Sequence, residues 1–240
     1  MRKFVCILFL TAVSLALDAQ VVYRQDFGGN KAKDDSIMRK AFRSCKYRQI
    51  FNDRNGSEVG TFSVRKKAFF NGDRIGDPNT FRSQWYAQDD HTFPNDYTKG
   101  YFLQIDGSLE KDLFYSFRVL GFHAGDSVVI SLWVANIYTQ YQKYCFSRKN
   151  WEPYEPDIDL LVFDRPELEA EIARFRIGPV PFSSYLYGHT DHECSNEWIK
   201  YEFGFRVPTN GPLIFVFGNR QVGSPGNDFG IDDIVVKIVK

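Results

Sequence analysis

Two adjacent aspartates, Asp232 and Asp233, interrupt an apolar segment near the end of the sequence. Neighbouring side chains on a β-strand point to opposite faces, so strict alternation predicts that Asp233 shares the face of Ile231. Asp232 then shares the face of Ile234. Whichever face is buried takes one carboxylate with it, and a buried charge is costly unless it is paired or binds a cation. The pair therefore predicts a structural site, linked to a metal ion.

A second group of metal-ligating residue types occupies 189–194, where two histidines precede Cys194. Such a loop has the side chains to hold a transition metal. The spacing is not that of the helical HExxH zinc motif, because the segment is predicted to be a loop. A polar loop tethered through Cys194 is the favoured interpretation.

Four carboxylates in 152–159 offer the residue types that a glycosidase uses as acid and base or nucleophile: Glu152, Glu155, Asp157 and Asp159. Neither the paired-carboxylate motif of sandwich glycosidases nor a Gly-x-Ser-x-Gly nucleophile elbow is present. The favoured interpretation is solvated carboxylates at the entry of a strand. A sandwich-type glycoside hydrolase or lyase that uses 152–159 remains the alternative function.

The segment 138–154 is longer than a strand connection needs and is rich in aromatic side chains. Rings with a polar tip stack on sugars or anchor protein partners, and they also pack on one another at the edge of a sandwich. The residues predicted to bind a ligand are Trp151, Tyr154, Tyr141 and Tyr144.

The first nineteen residues have the pattern of a secretory signal peptide. Arg2 and Lys3 precede an apolar run at 4–17, and the small Ala19 offers a cleavage site. The run is too short for a comfortable membrane span, so no span is expected after its removal. The sequence predicts a signal peptide at 1–19 and a single domain at 20–240, secreted or at the cell surface.

Charge and cysteine content narrow the partners. Lys and Arg together number 30, as do Asp and Glu, and removing the signal shifts this balance by only one charge. Binding to nucleic acid needs a basic surplus, so nucleic acid is not an expected partner.

Three cysteines follow the signal, and export allows two to oxidise. We expect Cys145 and Cys194 to be bridged and Cys45 to be free.

Short segments of alternating apolar and polar residues are separated by turn residues about every ten positions. This pattern predicts an all-β fold of about ten strands, in a two-sheet antiparallel sandwich of jelly-roll type that would position the residues above. The aromatic share of 17% suits pleated surfaces and sandwich cores. The enlarged loops are 31–60 and 137–157. We predict one hairpin from 159–163 and 171–177, and another from 198–207 and 213–219 around Asn210-Gly211.

Several blocks occur in an order that resembles the jelly-roll modules of bacterial cell-surface proteins, which are similar to carbohydrate-binding modules and to animal MAM domains. They are QDFGG, DDHT followed by GYFLQIDGS, SLWVANIY, DIDLLVFD, WIKYEFGFRVP and the GNDFGIDDI end. The resemblance covers about 22–238. It implies a non-catalytic sandwich for adhesion or glycan binding, with one structural calcium ion.

Carried over by motif, the calcium ligands are expected among Asp26, Asp90, Asp232 and Asp233. Carboxylate oxygens held in loops are the donors that calcium prefers, while turn carboxylates that accept backbone N–H groups are the alternative. The expected function is recognition of a glycan or of a cell-surface protein. A structural subunit of a cell-surface adhesion assembly is a further alternative.

Overall fold

The chain folds as a jelly-roll β-sandwich, which confirms the predicted fold class. The structure is a computed structural model, and it describes eleven strands within residues 19–27, 47–49, 60–65, 90–93, 100–138, 143, 147, 150–164, 170–183, 197–223 and 226–239. No helix in these ranges is both long and apolar enough to cross a membrane.

Seven of these strands form the large sheet. Its path runs β2-β3-β4-β11-β6-β9, and β1 also pairs with β11. All pairings are antiparallel except the short one between β2 and β3. The strands are β1 (Ala19–Gln25), β2 (Arg48–Gln49), β3 (Thr61–Arg65), β4 (Phe102–Asp106), β6 (Ser127–Asn136), β9 (Ile199–Arg206) and β11 (Phe229–Val239).

The small sheet has four antiparallel strands in the order β5-β10-β7-β8. They are β5 (Asp112–Phe122), β7 (Ile158–Phe163), β8 (Glu171–Ile177) and β10 (Gly211–Asn219). The predicted hairpin from 159–163 and 171–177 is confirmed, since β7 and β8 pair directly from Ile158 opposite Ile177 to Phe163 opposite Glu171.

Aromatic rings pack between the two sheets. Phe117 of β5 is fully buried, with Tyr23 of β1 stacked 4.4 Å from its ring centroid and Phe215 of β10 stacked at 5.0 Å. Burial of one such ring contributes about 1.5–3 kcal/mol, and stacked pairs add to that. The high aromatic content thus fills the space between the sheets.

The outer face of the large sheet is covered as well. A second buried cluster lies there, and it includes Phe102 of β4 and Trp198, whose rings meet edge to face at 5.6 Å. Gly230 of β11 leaves room for them, because a Cβ there would lie 2.9 Å from Trp198 and 3.0 Å from Phe102. Polar groups on this face are therefore buried too.

The predicted hairpin from 198–207 and 213–219 is wrong. β9 pairs with β6 in the large sheet, whereas β10 lies between β5 and β7 in the small sheet. β9 alternates half-buried and exposed residues, as suits an edge strand, while β10 is buried on both faces from Leu213 to Asn219. Both faces of β10 are packed, one in the main core and the other in a smaller cluster with Leu161 and Phe163, as suits a central strand; the Asn210-Gly211 turn leads from one sheet to the other.

Candidate functional site

The Asp232–Asp233 pair lies at a break in the pairing of β11. Along one edge, β4 pairs with Phe229 to Ile231 and β1 pairs with Ile234 to Val239, so neither strand covers the two aspartates. On the other edge, β6 pairs with β11 through a register shift between Asp232 and Val235. Asp233 has φ of 47°, the left-handed conformation found at some β-bulges.

The bulge changes the alternation that the sequence suggested, so strict alternation through Asp232–Asp233 is wrong. Ile231 and Ile234 both face the core, because the extra residue between them shifts the phase by one position. Asp232 is paired with Trp133 and so lies on the outer face, where it is fully buried. One carboxylate is buried, as predicted, but away from the sandwich core.

Residues 90–93 fill the break and hold both aspartates. Asp232 Oδ2 accepts a hydrogen bond from the His91 backbone N–H at 3.0 Å, and its Oδ1 accepts one from Asp233 N–H at 2.8 Å. Asp233 Oδ2 contacts His91 Nδ1 at 2.7 Å and accepts from Thr92 Oγ1 at 2.8 Å. Asp90 Oδ1 accepts from Phe93 N–H at 2.9 Å. Asp90, Asp232 and Asp233 are called the carboxyl cluster below.

The carboxyl cluster holds a proton far above the usual range of an aspartate. Burial, and after it the negative charges of Asp90 and Asp233, raise the pKa of Asp232 to about 9. Burial also raises the pKa of Asp90, which hydrogen-bonds to Asp232. One proton shared between the two buried carboxyl groups avoids a second negative charge in a poorly solvated site.

The surroundings fix the cluster in place. The His91 ring stacks on Trp133 at 4.0 Å and meets Trp198 edge-on at 6.0 Å. Asp90 lies directly against Gly100, whose φ is +69° and where any Cβ would collide with the carboxyl group. These contacts hold the 90–93 segment against β11, the central strand of the large sheet.

The predicted calcium ligands are only partly brought together. Asp90, Asp232 and Asp233 adjoin one another, and Asp26 is an exposed residue that follows Gln25, the partner of Ile234. Within the described part of the chain, no group of three or more His, Cys, Asp and Glu side chains is arranged to hold a metal ion. Several carboxylate oxygens already accept N–H and O–H donors, as in the turn-carboxylate alternative. Calcium remains a prediction.

Two of the four predicted ligand-binding residues are described, and both are prominent on the surface. Trp151 is 49% exposed and Tyr154 is 42% exposed. They are called the exposed rings below. Val222 is also 40% exposed, on the segment that runs beside Tyr154. Tyr141, Tyr144, Cys45, Cys145, Cys194 and the 189–194 segment lie outside the described residues, so those predictions stand as made.

Two glycines hold Tyr154 in position. Its ring lies on Gly223, where a Cβ would come within 2.5 Å of Tyr154 Cε2. Its backbone forms a bridge with Gly226 and accepts the Asn227 N–H at 2.8 Å, and a Cβ on Gly226 would be 2.6 Å from Tyr154 O. The main chain at Gly223 therefore backs the ring, while 42% of the residue stays exposed.

The carboxylates of 157 and 159 form an ion-pair lattice that the sequence interpretation missed. Arg176 binds Asp157 through two hydrogen bonds of 2.8 and 2.9 Å. Asp159 contacts Arg220 at 3.0 Å and Arg174 at 3.3 Å. Each charge has a partner of opposite sign, so these carboxylates are not simply solvated.

A signal for this lattice was present in the sequence. Asp157 and Asp159 are two residues apart, as are Arg174 and Arg176, and the two segments were predicted to be partners in a hairpin. Side chains two apart share a face, so opposite charges on paired strands meet there. Arg220 directly follows the end of a third strand, β10, and had no such signal.

No protein-family model matches the chain, and no curated protein matches it. Among solved structures, it is similar to the enzymatically active domain of bacteriophage CBA120 tailspike protein 4, at 11% identity and TM-score 0.37. That match covers 77% of this chain and 18% of the tailspike chain. The CBM22-1 xylan-binding domain of Paenibacillus barcinonensis Xyn10C matches at 10% identity and TM-score 0.35, over 94% of this chain and 98% of that domain.

TmCBM61 in complex with β-1,4-galactotriose matches at 17% identity and TM-score 0.30, covering 59% of this chain and 73% of that one. With TM-scores this low, the similarities carry no argument about what this chain binds.

Proposed function

We propose that this protein is a secreted or cell-surface recognition module without catalytic activity, and that it binds a glycan through the exposed rings Trp151 and Tyr154. The observation that carries the proposal is the presentation of Tyr154. Its ring rests on Gly223, and its backbone is fixed against Gly226, while 42% of the residue stays exposed.

Such an arrangement suits stacking on a sugar ring. An aromatic face gains affinity from the C–H face of a sugar by contact area, and a ring that is already held loses little conformational entropy when it binds. Trp151 lies three residues earlier and is also about half exposed. The two exposed rings lie close in sequence, in a loop that is longer than a strand connection needs. This arrangement favours a binding surface over rings that only pack on one another at the edge of the sandwich.

The lattice weighs against the hydrolase alternative. A general acid must hold a proton and release it to the leaving group, and a nucleophile needs oxygens that are free to attack. The oxygens of Asp157 and Asp159 accept hydrogen bonds from guanidinium groups, which never give up their charge. Two of the four candidate carboxylates are therefore engaged in ion pairs, which favours binding without catalysis.

Screening the protein without its signal on a glycan array tests this proposal, followed by titration calorimetry with the strongest glycan. Trp151→Ala and Tyr154→Ala should each weaken binding by about 2 kcal/mol, roughly thirtyfold, as for truncated anchor residues. Leu120→Ala is the matched control, because Leu120 is 64% exposed on β5 and belongs to neither the rings nor the lattice.

Three results would overturn the proposal. Binding to no glycan would leave a protein partner or a structural role in an adhesion assembly. Release of new reducing ends from a bound glycan would establish the hydrolase alternative. Unchanged affinity in both ring variants would move the glycan site away from Trp151 and Tyr154.

A further inference from the structure

A groove of about 360 Å³ lies on the outer face of the small sheet. It exists because Gly218 of β10 has no side chain between its two cross-strand neighbours, Leu113 of β5 and Asp159 of β7. A Cβ at Gly218 would lie 2.8 Å from Leu113 Cδ2. Glycine within a strand often marks a place where a ligand approaches the sheet.

The groove has an apolar floor and charged walls. Leu113, Leu161 and Gly218 form the floor, and the walls include Arg174, Arg220 and Asp159. Arg174 and Arg220 each contact an oxygen of Asp159, at 3.3 and 3.0 Å. Donors and an acceptor therefore alternate along one wall, held in place by one another. A volume of this size falls within the range of small-ligand sites.

Two adjoining backbone segments connect the groove to Tyr154. The backbone N–H groups of Arg220 and Gln221 donate to Asp157 O at 2.8 and 3.3 Å, and Asn227 N–H donates to Tyr154 O. The segment that ends with Tyr154 and Asp157 therefore runs beside 220–227, with Arg220 at the groove and Gly223 under the Tyr154 ring. A chain-like ligand that stacks on the ring would follow these segments to reach the groove.

We propose that this groove is a second subsite of the glycan-binding surface, and that it selects a neutral, hydroxyl-rich sugar over an acidic one. The inference rests on the proposed function. Sugar hydroxyls both donate and accept, so they match a wall on which guanidinium donors alternate with a carboxylate acceptor. The apolar floor faces the C–H groups of the ring.

The same wall disfavours an acidic sugar. Three basic residues line the groove, Lys111, Arg174 and Arg220, and they are matched in number by Asp112 and Asp159 in the lining and by Glu171, which contacts Arg174 at 2.6 Å. The carboxylate of a uronic acid would have to compete with Asp159 and Glu171 for the guanidinium groups, beside charges of its own sign. Like charges in proximity weaken binding, whereas a neutral hydroxyl adds hydrogen bonds without breaking the lattice.

Affinity electrophoresis tests the inference with neutral polysaccharides (galactan, arabinoxylan and mixed-linkage β-glucan) beside acidic ones (polygalacturonate and alginate). At least one neutral polysaccharide should retard the protein, and the acidic ones should not. Arg174→Gln should weaken retardation about tenfold, because a charged hydrogen-bond donor to the ligand is lost. Arg176→Gln is the matched control: it lies on the same strand and face and pairs with Asp157, but it does not line the groove.

The outcomes separate the two proposals. Loss of binding in Trp151→Ala with full binding in Arg174→Gln would overturn the groove subsite and leave the glycan function standing. Equal weakening by Arg174→Gln and Arg176→Gln would also overturn it, since the lattice would then act only on the fold. Retardation by the acidic polysaccharides alone would refute the selectivity, and retardation by none would refute both proposals.

Discussion

Replacing Asp232 by asparagine should abolish a pH dependence of stability that the carboxyl cluster creates. The pKa of Asp232 is about 9 in the folded protein because the group is buried beside Asp90 and Asp233. In the unfolded chain an aspartate has a pKa of about 3.9. The folded state thus binds the proton more tightly, so this contribution to stability is complete below about pH 4 and is lost as pH rises toward 9.

Between these limits the folded state holds one proton more than the unfolded state. Each pH unit then lowers the free energy of unfolding by about 1.4 kcal/mol, and from pH 5.5 to 7.5 the loss is about 2.7 kcal/mol. Asp90, whose pKa is also raised, changes in the same direction. An asparagine at 232 retains a carbonyl oxygen for His91 N–H and offers an N–H to Asp90, with no proton to lose.

Urea unfolding at several pH values, followed by tryptophan fluorescence, measures the effect, since Trp133 and Trp198 adjoin the cluster. The free energy of unfolding should fall by about 2.7 kcal/mol in the natural protein between pH 5.5 and 7.5, and by less than about 0.5 kcal/mol in Asp232→Asn. Asp126→Asn, in the turn where Asp126 accepts the His123 N–H, is the control and should retain the slope. Equal slopes in the natural protein and Asp232→Asn would refute the reasoning.

Calcium bound at the carboxyl cluster should raise the melting temperature, because a ligand specific to the folded state stabilises that state by mass action. Asp233→Ala should remove this gain. A melting curve that does not move when chelator is added would rule the site out. Gly100→Ala should destabilise the protein by about 2 kcal/mol or more in urea unfolding, since the residue has φ of +69° and a Cβ would strike the cluster; an unchanged midpoint would contradict the described contact. Peptide mapping under non-reducing conditions should recover Cys145 bridged to Cys194 with Cys45 free, and recovery of Cys45 in a disulfide would show the pairing to be wrong.

Strand positions could be predicted because alternation is local, but strand partners could be predicted only in part: the β7–β8 hairpin is confirmed, and the pairing of β9 with β10 is wrong. β9 and β10 follow each other with a strong turn between them, and their separation into two sheets depends on which strand is apolar on both faces. That difference is visible in the sequence: Leu213 to Phe217 is uninterrupted, whereas Lys200 and Glu202 punctuate β9. Turn chemistry identifies a change of direction and does not identify the partner.

The candidate site was predictable to a similar extent. The oxygen-rich residues Asp90, Asp232 and Asp233 could be singled out by type, and the structure brings them together. Their environment could not be predicted, because it depends on pairing between residues distant in sequence. The bulge at Asp233 arises in the pairing of β11 with β6, and the gap beside the aspartates arises because β4 and β1 pair with different parts of the other edge of β11. The groove depends on Gly218, which the sequence shows only as an isolated glycine in a strand.

The central place of β11 has a consequence for the order in which the protein folds. Among the described strands, β1 pairs only with β11, and Gln25 meets Ile234 across nearly the whole length of the sequence. β4 and β6 also need β11 beside them. Contacts between residues so distant in sequence make folding slow, because the entropy of closing a long loop must be lost first. The large sheet therefore cannot be completed before β11 is available, and the pairing of β1 is expected among the last to form.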